Sequence, residues 1–507
     1  GVGKAGSNRS LARGREKRST RVRWHDQKEG VSKTFRTYEP TQSFLLPPSP
    51  LDWIPEDHLA RFILDTVGEF DLSAIFAYYE RELRGFPPHH PRMMVALLLY
   101  AYCVGVPSSR KIEKRTYEDV AFRVIAGNTH PDHTRVSEFR RIHLKALAGL
   151  FLQVLKLCQR MGMVKLGHVA LDGTKMKANA SKHKAMSYDR MQKDEEKLAA
   201  EVAALMRAAE GVDAAEDAEH GKHQRGDEIP EELRRREDRL ARIRATKAAL
   251  EAEARCQAEE RKEAATEEAQ AKAAVAEMEN ICAAQPTNSE EDEPPTPPTA
   301  ITPEPMPEHQ VPTGDDGAPM PKAQRNFTDA ESRIMKTGDG FVQGYNAQAV
   351  VDEAHQIIVA QDVSNQSPDA QHMVPMLDRT IANCGAAPEK MSADTGYFSK
   401  ANLLRASSRG VDMYVATRRT KHGTATEAAT DTGDDSVKAQ MKAKLSTKEG
   451  AKIYSRRKVI VEPAFGQIKN RGFRGFLLRG QAKVRGEWSL ITLTHNLLKL
   501  HGAAVAA

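Results

Sequence analysis

The segment HVALDGTKMKANAS, residues 168–181, begins with a short apolar run, and an acidic residue follows directly. The four residues before Asp172 have the composition of a strand, so we expect Asp172 to lie at a strand end. Asp394 has the same setting in KMSADTGYFS, where a Thr-Gly turn signal follows it. Two aspartates at strand ends can present their carboxylates together.

A third acid, Glu462, lies in YSRRKVIVEPAFGQIKNRGFRGF, residues 454–476. Glu462 and Lys469 are two helical turns apart, so both would share one helix face. Because proline is comfortable only at a helix start, Pro463 predicts a helix start or a kink beside Glu462. Magnesium prefers hard oxygen ligands, so two Asp and one Glu predict a divalent-metal site for phosphoryl transfer.

These motifs resemble the DDE transposases of bacterial insertion sequences. The resemblance is strongest to the group numbered eleven-eighty-two and extends from about Phe35 to Leu500. It rests on LDGTK, SADTGYFS, GDGFVQGYNAQAVVD, HNLLKL and the Tyr-x-x-Arg…Glu-x(6)-Lys signature, formed by Tyr454, Arg457, Glu462 and Lys469. The commoner signature has three residues between the Arg and the Glu. Here four residues separate Arg457 from Glu462 and three separate Lys458 from Glu462, so both cations are candidates for the arginine role.

The pattern of strands and helices, together with the resemblance, predicts an α/β fold. We expect an RNase H-like catalytic domain, with a mixed sheet and flanking helices, that is interrupted by a helical insertion and preceded by an all-α N-terminal domain. The predicted ranges are a basic, disordered arm at 1–34, a helical DNA-binding domain at 35–162, the catalytic domain at 163–181 and 323–500, a helical hairpin or coiled coil at 182–284, and a Pro-rich, disordered or extended linker at 285–322.

Several further acids have weaker claims on a site. Asp369 is expected to cap the next helix. Asp329 and Glu331 precede the strands around residue 345, where the resemblance suggests a substrate-side loop and a structural role is equally open. A rival metal site, for which no apolar framework is apparent, would use Asp431, Asp434 and Asp435.

The formal net charge of +6 is modest, but the cations are clustered, which is typical of a surface that binds a polyanion. A helix, a short turn and a second helix in the N-terminal domain suit a DNA-binding module, although a simple helical bundle fits as well. The predicted DNA-binding residues are Arg135, Arg140 and Arg141 in that module, and Tyr454, Arg457, Lys458, Lys469, Arg471 and Arg474 around Glu462.

The predicted function is DNA cleavage and strand transfer by two-metal phosphoryl transfer. Asp172 would bridge two Mg²⁺ ions, with Mn²⁺ as a substitute, and Asp394 and Glu462 would each complete one of them. The resemblance implies terminal inverted repeats and target DNA as partners, and a homodimer or larger assembly at the ends. Two alternatives stay open, namely a nuclease or resolvase of the same fold that does not join strands, and an inactive DNA-binding remnant.

The cysteines and the apolar segments indicate a cytoplasmic protein without a membrane partner, and the resemblance implies a nucleoid-associated location in bacteria. The five cysteines show no CxxC spacing, which favours a reduced compartment and argues against a zinc site. No apolar segment follows the basic arm, so no signal peptide is expected. The uncharged run from Met93 to Val106 is too short to span a bilayer and predicts a buried helix.

Overall fold

The structure is a computed structural model, and it describes residues 34–36, 38, 49–81, 84–220, 231–283, 302–338, 340–417 and 436–506. Three of the predicted features lie wholly or mostly outside these residues. They are the basic arm, the first part of the Pro-rich linker, and the acidic cluster of Asp431, Asp434 and Asp435.

The chain divides into two compact units, Gly1–Leu98 with Ser109–Ser137, and Leu99–Ser108 with Glu138–Ala507. The described residues of the first unit contain helices and no strand, as predicted for the N-terminal region. After a 3-10 helix at Pro50–Trp53, they are α1 (Leu59–Glu69), α2 (Ser73–Glu80), α3 (Pro91–Cys103), α4 (Ser109–Glu118), α5 (Val120–Ile125) and α6 (His133–Arg160), of which α3 and α6 continue into the second unit.

The predicted buried helix is α3, in which every residue from Met93 to Cys103 is buried. Among the described helices, α6 alone is long and apolar enough to cross a membrane by length and composition. Buried core helices of soluble proteins pass the same test, and 44% of the apolar window of α6 is buried.

The second unit carries all the strands of the described chain. In chain order its elements are β1 (His168–Lys177), β2 (Ala185–Ser187), α7 (Tyr188–His220), α8 (Glu231–Ala283), β3 (Gln324–Asn326), β4 (Arg333–Thr337), β5 (Gly340–Asp352), β6 (Ile358–Ser364), α9 (Met373–Cys384), β7 (Lys390–Ala393), α10 (Lys400–Ser407), β8 (Asp412–Val415), α11 (Ser436–Ser446), α12 (Lys448–Asn470) and α13 (Gln481–Ala506), with 3-10 helices at Lys182–Lys184, Ala370–His372 and Thr395–Tyr397.

The main sheet is mixed, and β1 lies at its centre. Strand β5 pairs antiparallel with β1, β4 and β6, whereas β7 is parallel to β1 and β8 is parallel to β7. Strands β1, β6, β7 and β8 therefore run in one direction, and their carboxyl ends meet at one edge of the sheet. Strands β5 and β6 form a hairpin. Its strands are almost wholly buried in their paired part, because α9 and α13 pack on them.

Helices α7 and α8 run antiparallel between β2 and β3. Met191 and Leu198 of α7 pack against Leu240 and Ile243 of α8 in one buried cluster. Ion pairs cross the same contact, including the one between Glu201 and Arg236 at 3.2 Å. The strands at the base of the two helices, β2 and β3, pair antiparallel with each other.

The described part of the predicted linker, residues 302–322, contains no helix, and it is packed rather than free. Met306 and Val311 are 4% and 2% exposed. The backbone N–H of His309 donates to Asn365 at 2.8 Å, directly after β6. This part of the linker is therefore built into the second unit.

Two local predictions are wrong. Asp172 does not lie at a strand end, because β1 continues to Lys177 along a matching stretch of β5. Of the two alternatives predicted beside Glu462, the helix start is wrong, since α12 runs through Pro463, and the kink stays a prediction. Proline removes the hydrogen bond to the carbonyl four residues earlier, and Gln356 Nε2 donates to that carbonyl, of Val459, at 3.0 Å instead.

Candidate active site

Asp172 and Asp394 lie next to each other on neighbouring strands. In the parallel pairing of β1 with β7, Ala170 is opposite Ser392, and the same register continued by two residues brings Asp172 opposite Asp394. Asp394 begins the 3-10 helix after β7, where its carboxylate accepts a hydrogen bond from Gly396 N–H at 2.8 Å. Asp172 accepts one from Gly173 N–H at 2.8 Å.

The surroundings of Asp172 disfavour its charged form. Burial raises the pKa of the Asp172 carboxyl to about 6, and the negative charges of Asp394 and Asp369 act in the same direction. The Arg457 guanidinium and the Gly173 N–H lower this pKa, although they do not offset the burial. A carboxyl group in this condition gains or loses its proton close to neutral pH, and a nearby cation would favour the ionised form.

Arg457 is the cation beside Asp172. It belongs to the buried face of α12 and is 8% exposed. Its Nη1 lies 3.2 Å from Asp172 Oδ2, and its Nε is buried without a hydrogen-bond partner in the described residues. The ring of Tyr454, one turn earlier, lies 5.9 Å from the guanidinium carbon. Burial raises the pKa of Tyr454, so its hydroxyl stays protonated.

Glu462 is not brought together with the two aspartates. It is exposed on α12 and, within the described residues, has no hydrogen bond or ion pair. Glu462, Lys458 and Lys469 lie on one side of the helix by their spacing, and all three are exposed. Among the described residues, no three His, Cys, Asp or Glu side chains are grouped closely enough to hold a metal ion.

Asp369 lies at this site, which the sequence reasoning missed. Asp369 occupies the N-cap position of the 3-10 helix Ala370–His372 but makes no capping hydrogen bond, so its predicted capping role is wrong. Its carboxylate pairs with Lys175 at 2.9 Å and lies beside Gly396 and Asp394. The clue was available, because Asp369 follows β6 at the same sheet edge where Asp394 follows β7. We call Asp172, Asp369 and Asp394 the carboxylate edge.

Asp329 and Glu331 hold the start of α13. Asp329 is buried and accepts hydrogen bonds from the Tyr345 hydroxyl at 2.8 Å and from Gly480 N–H at 3.2 Å. Glu331 accepts a hydrogen bond from the backbone N–H of Gln481. Both carboxylates therefore have structural partners.

The predicted DNA-binding residues fall into two groups. Arg140 is 5% exposed and donates to the Tyr102 hydroxyl at 3.1 Å and to the Pro107 carbonyl at 2.7 Å. Arg471 is half-buried and donates to Thr494 Oγ1 at 3.2 Å. Both guanidinium groups therefore donate hydrogen bonds within the protein. The exposed members of the set are Arg135, Arg141, Lys458, Lys469 and Arg474.

Comparison with known families decides the identity. Residues 48–141 match a family model described as "Transposase domain (DUF772)", and residues 307–497 match one described as "Transposase DDE domain". The chain belongs to the DDE transposases. No match was found among the curated proteins or among the solved structures. In this transposase the second match contains Asp369, Asp394 and Glu462, and it begins within the predicted linker.

Proposed function

We propose that this transposase binds the ends of an insertion sequence and catalyses DNA cleavage and strand transfer at the carboxylate edge. The observation that carries the proposal is the register of β1 with β7, which brings Asp172 beside Asp394. Apart from the edge strand β4, the chain order of the sheet is three antiparallel strands, β1, β5 and β6, and then two strands parallel to β1, which supports an RNase H-like sheet in which α7 and α8 form an insertion. Membership of the eleven-eighty-two group remains part of the proposal.

Asp172, Asp394 and Glu462 are the proposed ligands of two Mg²⁺ ions. The carboxylates of Asp172 and Asp394 suit magnesium, which prefers charged oxygen ligands and open positions for water and phosphate. Glu462 lies five residues beyond Arg457, about 7.5 Å along the helix axis and about 140° around it, so the proposal requires α12 to turn or shift before Glu462 reaches the two aspartates. Arg457 holds α12 against Asp172. When bound, the metal would supply an activated water and stabilise the leaving oxygen.

The chemistry consists of two phosphoryl transfers. In cleavage, a water oxygen bonds to the scissile phosphorus as the bond from that phosphorus to the 3′ oxygen breaks, and the 3′ oxygen receives a proton. In joining, the freed 3′ hydroxyl attacks a phosphorus of the target strand, and the target's own 3′ oxygen leaves. Lys458, Lys469 and Arg474 are exposed and are proposed to contact phosphates, and the half-buried Tyr454 is proposed to contact the cut end. Arg457 is buried and bonded to Asp172, so its proposed role is to position Asp172 rather than to bind DNA.

The proposed partners are the terminal inverted repeats and the target DNA, with a homodimer or larger assembly at the ends and a location in the bacterial cytoplasm at the nucleoid. Arg135 and Arg141, on the exposed side of α6, are the proposed contacts of the N-terminal domain. Arg140 and Arg471 are left out of the contact set, since their guanidinium groups are bonded within the protein.

The test uses duplex DNA that contains the inverted repeats flanking the coding region. Asp172→Asn, Asp394→Asn and Glu462→Gln should each abolish cleavage in magnesium while end binding in a gel-shift assay is retained. Glu449→Gln, the same change at an exposed position of the same helix, is the matched control and should cleave normally.

A pre-cut end separates strand transfer from simple hydrolysis. The wild-type protein should join a pre-cut end to target DNA. Cleavage without joining would favour a nuclease or resolvase, and binding with neither activity would favour an inactive remnant.

A further inference from the structure

The carboxylate of Asp369 is held by three donors from two strands. Its Oδ1 accepts hydrogen bonds from Lys175 Nζ at 2.9 Å, Asn346 Nδ2 at 2.7 Å and Gln348 Nε2 at 3.2 Å. Lys175 also donates to the Ser367 carbonyl at 2.9 Å. The Lys175 and Asp369 side chains are only 16% and 26% exposed, so the pair is largely shielded from solvent.

Gln348 connects Asp369 to the turn that carries Asp394. Its Nε2 donates to Asp369, and its Oε1 accepts a hydrogen bond from the hydroxyl of Tyr397, which is 1% exposed. Tyr397 ends the 3-10 helix that Asp394 begins. One side-chain amide therefore bonds to both the acid after β6 and the turn after β7.

A second amide ties the same two turns together. Asn402 Nδ2 donates to the carbonyl of Ala370 at 2.7 Å and to the carbonyl of Tyr397 at 2.9 Å. The residue after Asp369 and the residue three after Asp394 thus share one donor group. The relative position of the two turns is fixed through side chains as well as through the sheet.

Gly173 leaves the space that Gln348 needs. A Cβ on Gly173 would lie 2.3 Å from Gln348 Nε2 and 3.0 Å from Asn346 Oδ1, so a side chain here would displace the Gln348 amide from its hydrogen bonds. The glycine that follows Asp172 therefore admits the amide network beneath the carboxylate edge. This gives the glycine of the LDGTK motif a packing role.

We infer that Asp369 is a positioning residue for the transposase reaction, which holds Asp394 beside Asp172 through Gln348 and Tyr397 while Lys175 offsets its charge. This inference rests on the proposed function, because it assigns a role at the same site. Asp369 touches neither metal nor DNA in this role. It acts on Asp394, which lies close to it beside Gly396. A Cβ built on Gly396 would lie 3.0 Å from Asp394 Oδ1 and 3.5 Å from Asp369 Oδ2.

The physical reason for a carboxylate at this position is the balance of charge. Asp172 and Asp394 must stay close together while no metal is bound, although their like charges repel each other. A third acid from α12 would add to this repulsion. The fixed pair of Lys175 with Asp369 adds no net charge to the edge. Its hydrogen bonds hold Gln348 in the orientation that reaches Tyr397. Residues that orient metal ligands in this way commonly contribute 10 to 100-fold to metal affinity.

The test compares Asp369→Asn with Asp378→Asn in the full-length protein. Asp378 is a matched control because it is a buried carboxylate on the neighbouring helix α9 that pairs with Arg409, away from the carboxylate edge. For both variants we would measure magnesium-dependent cleavage of end DNA, Mn²⁺ binding to the protein alone, and the midpoint of thermal unfolding.

Asp369→Asn should raise the magnesium concentration for half-maximal cleavage about 10-fold and weaken Mn²⁺ binding by a similar factor. Asp378→Asn should lower the unfolding midpoint and leave both metal readouts unchanged. Tyr397→Phe, which removes one hydroxyl, should shift the metal dependence in the same direction as Asp369→Asn and by less.

Equal metal dependence in Asp369→Asn and the wild type, with only a loss of thermal stability, would overturn the inference and leave a structural ion pair. Asp172→Asn distinguishes this failure from failure of the proposed function. If Asp172→Asn still cleaves in magnesium, the site itself is wrong. If Asp172→Asn is inactive while Asp369→Asn is normal, only the role of Asp369 is wrong.

Discussion

Arg457 Nη1 lies 3.2 Å from Asp172 Oδ2, so the buried face of α12 supplies a cation to the central strand of the sheet. The contact joins two segments that are far apart in sequence, and it links the charge state of Asp172 to the position of α12. It also separates Arg457 from its neighbour Lys458, which is exposed.

Metal binding should depend on pH through Asp172. The pKa of this carboxyl in the folded protein is about 6, above its usual 3.8, so the proton must leave before Asp172 can bind a metal. Magnesium affinity should therefore be constant above about pH 7 and fall about tenfold per pH unit below pH 6, as one proton competes. Titration calorimetry between pH 5 and 8 measures this dependence.

The effect of pH on stability through Asp172 is opposite to that of an aspartate whose pKa is lowered on folding. Because the folded state holds this proton more tightly than the unfolded state, the contribution of Asp172 to stability falls as pH rises from about 4 to 6. Asp394→Asn removes a negative neighbour and should lower the pKa of Asp172, whose titration midpoint can be measured by carboxyl NMR of the metal-free protein. A midpoint that stays in place would contradict the coupling between the two aspartates.

Arg457→Met and Lys458→Met should have different effects. Loss of the Arg457 charge should raise the pKa of Asp172 and shift the magnesium-binding midpoint to higher pH, since Arg457 lowers that pKa in the folded protein. Lys458 is exposed, so its replacement should weaken DNA binding and leave the midpoint unchanged. Identical profiles for the two variants would show that Arg457 does not act on Asp172.

Gln356 and Pro463 should be coupled in a double-mutant cycle. Gln356→Ala removes the donor to the Val459 carbonyl and should lower the unfolding free energy by about 1 kcal/mol. In a Pro463→Ala background, the backbone N–H of residue 463 can make that bond, so the cost of Gln356→Ala should be smaller. Urea unfolding of the four proteins gives the coupling energy, and additive effects would contradict the proposed substitution of donors.

Arg140 and Arg141 are adjacent, and their replacements should differ in kind. Arg140→Gln should destabilise the protein, because it removes the donors to the Tyr102 hydroxyl and the Pro107 carbonyl. Arg141→Gln should leave the unfolding midpoint unchanged and reduce the salt dependence of end binding by about 0.9 on a log-log plot, for one lost phosphate contact. Fluorescence anisotropy at several salt concentrations measures the slope of log affinity against log salt concentration. An unchanged slope would show that Arg141 is not a DNA contact.

The distal parts of α7 and α8 should be dispensable for the fold. Replacing residues 208–230 with a short Gly-Ser turn retains the ion pair of Glu201 with Arg236 and the buried Leu233, and should leave the unfolding midpoint unchanged. Replacing the whole of 182–322 should instead destabilise the protein, because it removes the buried Met306 and the hydrogen bonds of Pro307 and His309 with Ser364 and Asn365. Equal stability of the two deletions would show that residues 302–322 do not support the core.

Much of the sheet could be predicted from the sequence, because its signals are local. The hairpin of β5 and β6 follows from two apolar runs and a turn, and the strand before Asp394 follows from an apolar run that stops at a Thr-Gly pair. The extent of β1 could not be predicted this way. Its second half carries polar residues, and it is a strand because β5 pairs with it.

For the same reason, the side-chain contacts around the site could not be predicted from local sequence patterns. Asp369 has the sequence context of a helix cap, and only its meeting with Lys175 shows another use. Arg140 has the context of an exposed cation beside Arg141, and its burial depends on Tyr102. In each case the decisive partner lies more than thirty residues away.

Strands β2 and β3 close the base of the long helical arm, with Ala185 opposite Asn326. The chain therefore enters and leaves the pair of long helices one strand spacing apart, whatever the length of these helices. The entropy of closing such a loop grows only with the logarithm of its length. The outer parts of α7 and α8 can therefore be lengthened, shortened or exchanged without changing the sheet, and a foreign domain could be grafted between them.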